Sequence, residues 1–262
     1  MSRGSAVARK LSGIPGAVAA RSAGRLPVAH RGAAVLCYHD VGTDASNTTD
    51  YYIGPDLLRA HIEWMRHWGL TIVPLAEIVD RLAEGRDLDG LVSLSFDDAL
   101  VGVLEHAAPI LQSHHVPATV FVVTDVVGAE PAFWPGAART LRPDELQELG
   151  TSGLVTLGSH TRSHASLPDV DPDARARELT DSRAWLEELT GSPVDLFAYP
   201  FGHHDAASET ATVAAGYRAA CTFTFGRVTA STSPTAIPRF CIGPTHDKFR
   251  LARQLARAAT AW

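Results

Sequence analysis

Cysteine is scarce in this chain: three in 262 residues, Cys37, Cys221 and Cys241, with no CxxC spacing among them. That scarcity excludes a disulfide-stapled scaffold, and the three thiols read as small buried hydrophobes in a reducing compartment. Long apolar runs are missing too. No stretch reaches the roughly 18 residues that a membrane-crossing helix needs, and no secretory h-region stands out, so the expected location leans cytoplasmic. Cations are outnumbered, 23 Lys and Arg against 29 Asp and Glu, for a net charge of −6. No broad basic field is available, and nucleic acid is excluded as a main partner. Internal repeats and long linkers are absent as well. What remains is ordinary globular composition, 45% hydrophobic and 20% charged, long enough to build one α/β barrel with a sizeable core.

Charge is unevenly placed along the chain. Residues 1–32 hold Arg3, Arg9, Lys10, Arg21, Arg25 and Arg31, and the first acid is Asp40. Gly13, Pro15 and Gly16 interrupt the apolar runs there. The expectation is a basic, flexible leader over 1–32 and a single catalytic-size domain over 33–262. A weak membrane-surface contact through the leader is the sharper alternative.

Downstream, strand and helix patterns alternate, which implies a parallel sheet with crossover helices. Apolar runs at 33–38, 70–74, 91–96, 118–123, 154–157, 196–199, 221–225 and 237–242 read as strands. Helical periodicity covers 56–68, with Leu57, Leu58, His61, Ile62, Met65 and Trp68 on one stripe, and then 75–84, 99–112, a short helix from Pro143, 171–190, 205–215 and a last helix from Lys248.

Chemistry collects where these strands stop. The run Leu91 to Leu100 reads Leu-Val-Ser-Leu-Ser-Phe-Asp-Asp-Ala-Leu, a buried strand ending in two adjacent carboxylates. The C-terminal ends of parallel strands are where α/β folds build their sites. Adjacent carboxylates repel, and a cation that neutralises one leaves the other free as a base. The plainer reading makes Asp98 the N-cap of the next helix. His160 and His164 follow the strand at 154–157 in the same way, and His39-Asp40 follows the first strand. His114-His115 reads as a solvated turn. Phe133-Trp134 reads as packing that closes the barrel end, with a sugar platform as the alternative.

Ser95-Phe96-Asp97-Asp98, Ser159-His160-Thr161-Arg162-Ser163-His164 and Phe197-Ala198-Tyr199-Pro200-Phe201-Gly202, in that order, resemble the polysaccharide deacetylase family, the carbohydrate esterases homologous to the nodulation chitooligosaccharide deacetylase. Tyr38-His39-Asp40-Val41 and Pro238-Arg239-Phe240 resemble features of one bacterial branch, and the likeness covers roughly residues 33–245. It implies a distorted (β/α)7-type barrel, an N-acetylated carbohydrate substrate and a divalent metal, usually Zn2+, with Co2+, Mn2+, Ni2+ or Fe2+ able to substitute. Carried over by residue, Asp98, His160 and His164 bind the metal and Asp97 is the base. The backbone N–H of Phe201 stabilises the oxyanion, and Tyr199, Phe201 and Trp134 contact the sugar. Two imidazoles and one carboxylate leave open positions, as a hydrolytic metal requires.

The sequence departs from the family pattern twice. The third motif commonly begins Phe-Arg, its arginine orienting the base, whereas Ala198 stands here; Arg239 is the expected substitute. The late Leu-x-His motif, whose histidine protonates the leaving amine, is represented only by Pro244-Thr245-His246, so His246 and His39 are both candidates for that acid. Two other readings follow: the same site acting on another amide, an imide or an O-acetyl ester, or a catalytically silent carbohydrate-binding barrel.

Overall fold

The computed structural model describes residues 31–44 and 49–257, so all of the predicted leader but Arg31 and Gly32 lies outside the described residues. The strands are β1 (Ala34–Tyr38), β2 (Asp40–Val41), β3 (Tyr52–Ile53), β4 (Thr71–Ile72), β5 (Leu91–Phe96), β6 (Ala118–Val122), β7 (Val155–Ser159), β8 (Leu196–Ala198), β9 (Ala219–Cys221) and β10 (Phe240–Cys241). The α-helices are α1 (Pro55–His67), α2 (Leu75–Ala83), α3 (Ala108–His114), α4 (Pro143–Thr151), α5 (Pro172–Thr190), α6 (Ala206–Ala214) and α7 (Lys248–Arg257). Eight strands form one parallel sheet in the order β10-β1-β5-β6-β7-β8-β9, with β4 paired to the start of β5. The two ends of the sheet approach through a parallel bridge between Cys221 and Ile237, just before β10. The result is the distorted barrel the sequence predicts.

Side chains alternate across each strand, and this separates two cores. On β5, Val92, Leu94 and Phe96 join Ala34, Leu36 and Tyr38 of β1 against the helices. On the other face, Val35, Phe121, Leu196, Ala198, Cys221 and Ile237 pack with Leu75, Ile78 and Val79 of α2. Ser93 and Ser95 share that inner face with Asp97, all three buried. Asp97 is therefore the next inward position of a strand whose inner face is already polar.

Three predicted elements differ from those observed. The expected helix over 99–112 starts two residues late: Asp98 and Ala99 both take positive φ (66° and 50°), the chain coils from Val101, and a π-helical turn over Val103–Ala107 leads into α3. Asp98 is thus not a helix cap. Gly102, in the first turn of that helix, lies so close to β2 that a Cβ there would come within 2.1 Å of the Val41 carbonyl oxygen. The strand at 70–74 shrinks to β4. The one at 221–225 moves back to β9, because Ala219 and Ala220, weak strand formers on their own, pair with Leu196 and Phe197.

α1 buries a histidine on its apolar stripe. His61 Nε2 donates to the His246 carbonyl (2.6 Å) and Nδ1 accepts from the Tyr38 hydroxyl (3.1 Å), which requires a neutral ring. Burial lowers its pKa from 6.5 to about 4, with the His246 bond opposing. Since the unfolded chain protonates first, this group's stabilisation is complete above about pH 6.5 and is lost as pH falls towards 4, by roughly 3 kcal/mol. Urea melts at pH 7 and pH 4.5 are expected to differ by less in His61→Gln than in the parent; equal differences would reject the assignment.

Candidate active site

Asp97 is fully buried and held on both oxygens by Arg239, Nη1 to Oδ1 at 2.7 Å and Nη2 to Oδ2 at 2.8 Å. Arg239 comes from the segment entering β10, and its Nε donates to the Thr222 carbonyl. Its guanidinium carbon lies 4.7 Å from the Phe223 ring centre and 5.6 Å from that of Phe121. Burial alone would raise the Asp97 pKa; Arg239 foremost, then His160, reverse this and hold the carboxyl well below the usual range. The guanidinium missing at Ala198 is supplied across the barrel from a different strand.

Asp98 turns the other way, because its left-handed backbone takes the side chain off the β5 alternation. Its Oδ1 lies 3.7 Å from His160 Nε2 and 3.5 Å from His164 Nε2, and it has no hydrogen-bond partner although it is buried. His160 Nδ1 donates to the Ala198 carbonyl at 2.7 Å, which leaves the Nε2 lone pair directed at the carboxylate. Burial lowers the pKa of both histidines, that of His164 to about 2. For Asp98, burial and then the Asp97 charge push the carboxyl well up. A buried carboxylate oxygen and two unprotonated imidazole nitrogens, all within 4.8 Å of one another, fit a divalent cation and nothing the chain itself offers.

The loop carrying His164 is held from α5: Glu178 accepts the Arg162 and Ser163 backbone N–H groups at 2.9 and 2.8 Å. Thr161 and His164 take positive φ, as do Asp98, Ala99 and Phe201, so five of the six non-glycine residues in that region among the described residues belong to the site loops. Such strain costs on the order of 1 kcal/mol or more per residue and marks a geometry imposed by the surroundings. Gly202, at φ +69°, has no room for a Cβ beside the Phe223 backbone, 2.4 Å away.

A second group of donors, Cys37, His39 and Asp97, also lies within 4.8 Å. It is poorly made for a metal, since burial keeps the Cys37 thiol protonated and Arg239 occupies both Asp97 oxygens.

Asp98, His160 and His164 open into a cavity of about 310 Å³ whose other walls are His39, Phe201 and four aromatic rings, Tyr51, Phe133, Trp134 and Phe223. Phe133 stacks on His164 with centroids 3.9 Å apart, and Trp134 stands edge-on to His39 and Tyr51. The Phe133-Trp134 pair, read as packing, lines the cavity. Phe201 is 49% exposed at its rim.

Two predicted site residues are not brought here. Tyr199 is wholly buried, edge-on to Phe197 in the core outside the barrel, because the chain alternates at β8 and turns inward only after it. His246 lines a different hollow with Arg250 and Arg253, where its Nδ1 accepts the Gly243 N–H; its loop folds back on α1 rather than over the mouth. Of the two histidines nominated as acid, only His39 faces the cavity. Tyr51 and Phe223 were not nominated. Phe223, two residues beyond β9, stands where the other strands also deliver functional groups, and that position was the available signal.

Residues 84–220 match the family model described as polysaccharide deacetylase. The poly-beta-1,6-N-acetyl-D-glucosamine N-deacetylase of Staphylococcus epidermidis is 22% identical over 161 residues, 58% of this chain and 55% of that one, so the match spans about half of that relative's length. The Streptococcus pyogenes deacetylase PplD, solved in complex with acetate, superposes with a TM-score of 0.74 at 21% identity, covering 86% of this chain and 98% of that one. BC0361, a polysaccharide deacetylase from Bacillus cereus, gives 0.73 at 25% identity, covering 86% and 69%. The likeness to PplD is one of fold.

Proposed function

We infer that this chain, which belongs to the polysaccharide deacetylase family, hydrolyses N-acetyl groups on a carbohydrate, releasing acetate and a free amino sugar. The observation that carries the reading is the division of labour between neighbours: Asp98 faces two imidazoles with an unsatisfied oxygen, while Asp97 is held apart by Arg239. A binding protein would gain nothing from a second, separately held carboxylate. The aromatic walls suit a sugar ring, whose C–H faces stack on such surfaces while its hydroxyls reach solvent.

Asp98, His160 and His164 would hold the divalent metal, with zinc the ion proposed. When bound it supplies Lewis acidity, making water a nucleophile near neutral pH and polarising the acetamide carbonyl. The chain's own groups then handle protons. Asp97 takes one from the attacking water. His39 is the cavity-facing group that can pass it to the leaving nitrogen: burial first, then Arg239 and His160, hold its pKa down at about 4 against the pull of Asp97. Asp97 is held well below the usual carboxylate range, so a proton it takes up is readily given on, and His39, with a ring nitrogen within 4.8 Å of an Asp97 oxygen, offers the path to the leaving nitrogen. The Phe201 N–H, on its left-handed turn, is the proposed further donor to the oxyanion.

The test is acetate release from β-1,6- and β-1,4-linked N-acetylglucosamine oligomers. Chelator-stripped protein is expected to release none, and added zinc or cobalt to restore release. In the same assay His39→Gln should lower kcat by about a hundredfold or more, with His246→Gln close to the parent. One metal bound per chain without release from either oligomer would redirect the reading to an O-acetyl ester or another amide.

A further inference from the structure

We propose that the exposed face of α7, with the hollow beside it, docks on an anionic phospholipid membrane. The inference does not rest on the deacetylase reading. α7 buries Leu251, Ala252 and Leu255 in the core and leaves Phe249, Arg250 and Arg253 exposed. It carries Lys248, Arg250, Arg253 and Arg257 and no acid. The whole chain shares this asymmetry: all 29 acids fall within residues 33–247, together with only 13 of the 23 Lys and Arg, and the other ten cations lie in the acid-free ends. An acidic body with basic ends is oriented, not merely attracted, by a negative surface.

Two further observations select the occupant. Arg250 and Arg253 form no salt bridge among the described residues, a state they share with the exposed Arg66 and Arg177, whereas Arg59, Arg86, Arg162 and Arg218 are paired; only on α7 do two such arginines lie on one helix face. Beside them, Phe249 is 74% and Phe225 57% exposed, and Phe225, Cys241, Arg250 and Arg253 line a hollow of about 290 Å³. Among the described residues the Arg250 guanidinium donates only to the Thr245 hydroxyl, and guanidiniums without a carboxylate partner suit a phosphate headgroup, while projecting phenyl rings gain from an acyl boundary but nothing from a soluble polyanion. The placement is coherent. α7 starts just after β10, at the end of the barrel where the catalytic cavity opens, and Phe225 lies two residues beyond the cavity-lining Phe223. At the other end of α7, Arg227 donates to the carbonyls of both Leu255 (2.8 Å) and Gly32 (3.0 Å). The junction with the basic stretch 1–32 therefore lies against the same helix.

Sedimentation of the full chain with vesicles tests this. Binding is expected to phosphatidylcholine vesicles containing phosphatidylglycerol, to be absent with phosphatidylcholine alone, and to weaken at high salt. Since each cation near such a surface contributes roughly fivefold, R250E/R253E should bind at least tenfold more weakly, and Phe249→Ser severalfold more weakly at low salt, with the circular dichroism of each variant unchanged. Charge-reversed protein that binds like the parent, or equal binding to both vesicles, would overturn the proposal. So would polyphosphate binding that Phe249→Ser leaves intact while vesicle binding is absent, which would identify a soluble polyanion instead. Should R250E/R253E misfold, the single variant Arg253→Gln gives the same reading at smaller amplitude.

Discussion

Replacing Asp97 with asparagine is expected to cut kcat for deacetylation by about a thousandfold, within the span of roughly 10² to 10⁴ typical for a positioned base, while zinc content stays at that of the parent. The two readouts belong together. The carboxamide keeps the shape of the carboxylate and one acceptor oxygen, but it cannot accept a proton from water. The three proposed metal donors, Asp98, His160 and His164, are untouched by the change, and their own supports, the Ala198 carbonyl under His160 and the Glu178 clamp on the His164 loop, lie on other elements. Loss of metal together with activity would place Asp97 among the ligands. Retained activity would move the base elsewhere. Single-turnover acetate release with metal analysis of the same sample separates all three cases.

The parts of this site that were legible in the sequence are those set by strand ends. Asp97-Asp98 and His160 each follow an apolar run, so their delivery to one end of the sheet follows from parallel topology alone. Arg239 was legible for a different reason: with Ala198 where an arginine is expected, the base needs a counter-charge, and Arg239 follows a proline at another strand end. Residues whose role depends on side-chain parity or local backbone were not legible. Tyr199 belongs to a strand-end motif yet points into the core outside the barrel. The helix foreseen from Ala99 starts two residues later, after two consecutive left-handed residues that no local propensity favours, and carries a π turn that the sequence did not announce. His246 was nominated by its place late in the chain, but its ring serves its own loop. Tyr51, Phe133 and Phe223 meet at the cavity from three distant loops, a convergence that only the folded barrel reveals.

Arg239→Ala is expected to destabilise the fold by about 3–5 kcal/mol, the cost of leaving a buried partner charge uncompensated, and to lower the melting temperature by on the order of 10 °C. The pH dependence makes this more than a packing loss. In the parent, the Asp97 pKa is depressed, so the pair's contribution is complete above the unfolded value near 3.9 and is lost as pH falls through the lower folded value. Without Arg239, burial is opposed only by the weaker pull of His160 and His39, the carboxyl pKa is expected to rise above its unfolded value, and the ionised form becomes a liability that protonation relieves. The stability gap between variant and parent should therefore narrow as pH is lowered from 7 towards 3. In an activity profile the same shift moves the acid limb of kcat/KM to higher pH, because the base must now be deprotonated against its own desolvation. Arg239→Lys separates charge from geometry: an ammonium restores part of the stability but cannot reproduce the two parallel bonds to Oδ1 and Oδ2, so its melting temperature should recover more than its kcat. A gap that stays constant with pH would mean that Arg239 acts through its stacking on Phe223 and Phe121 and not through the base.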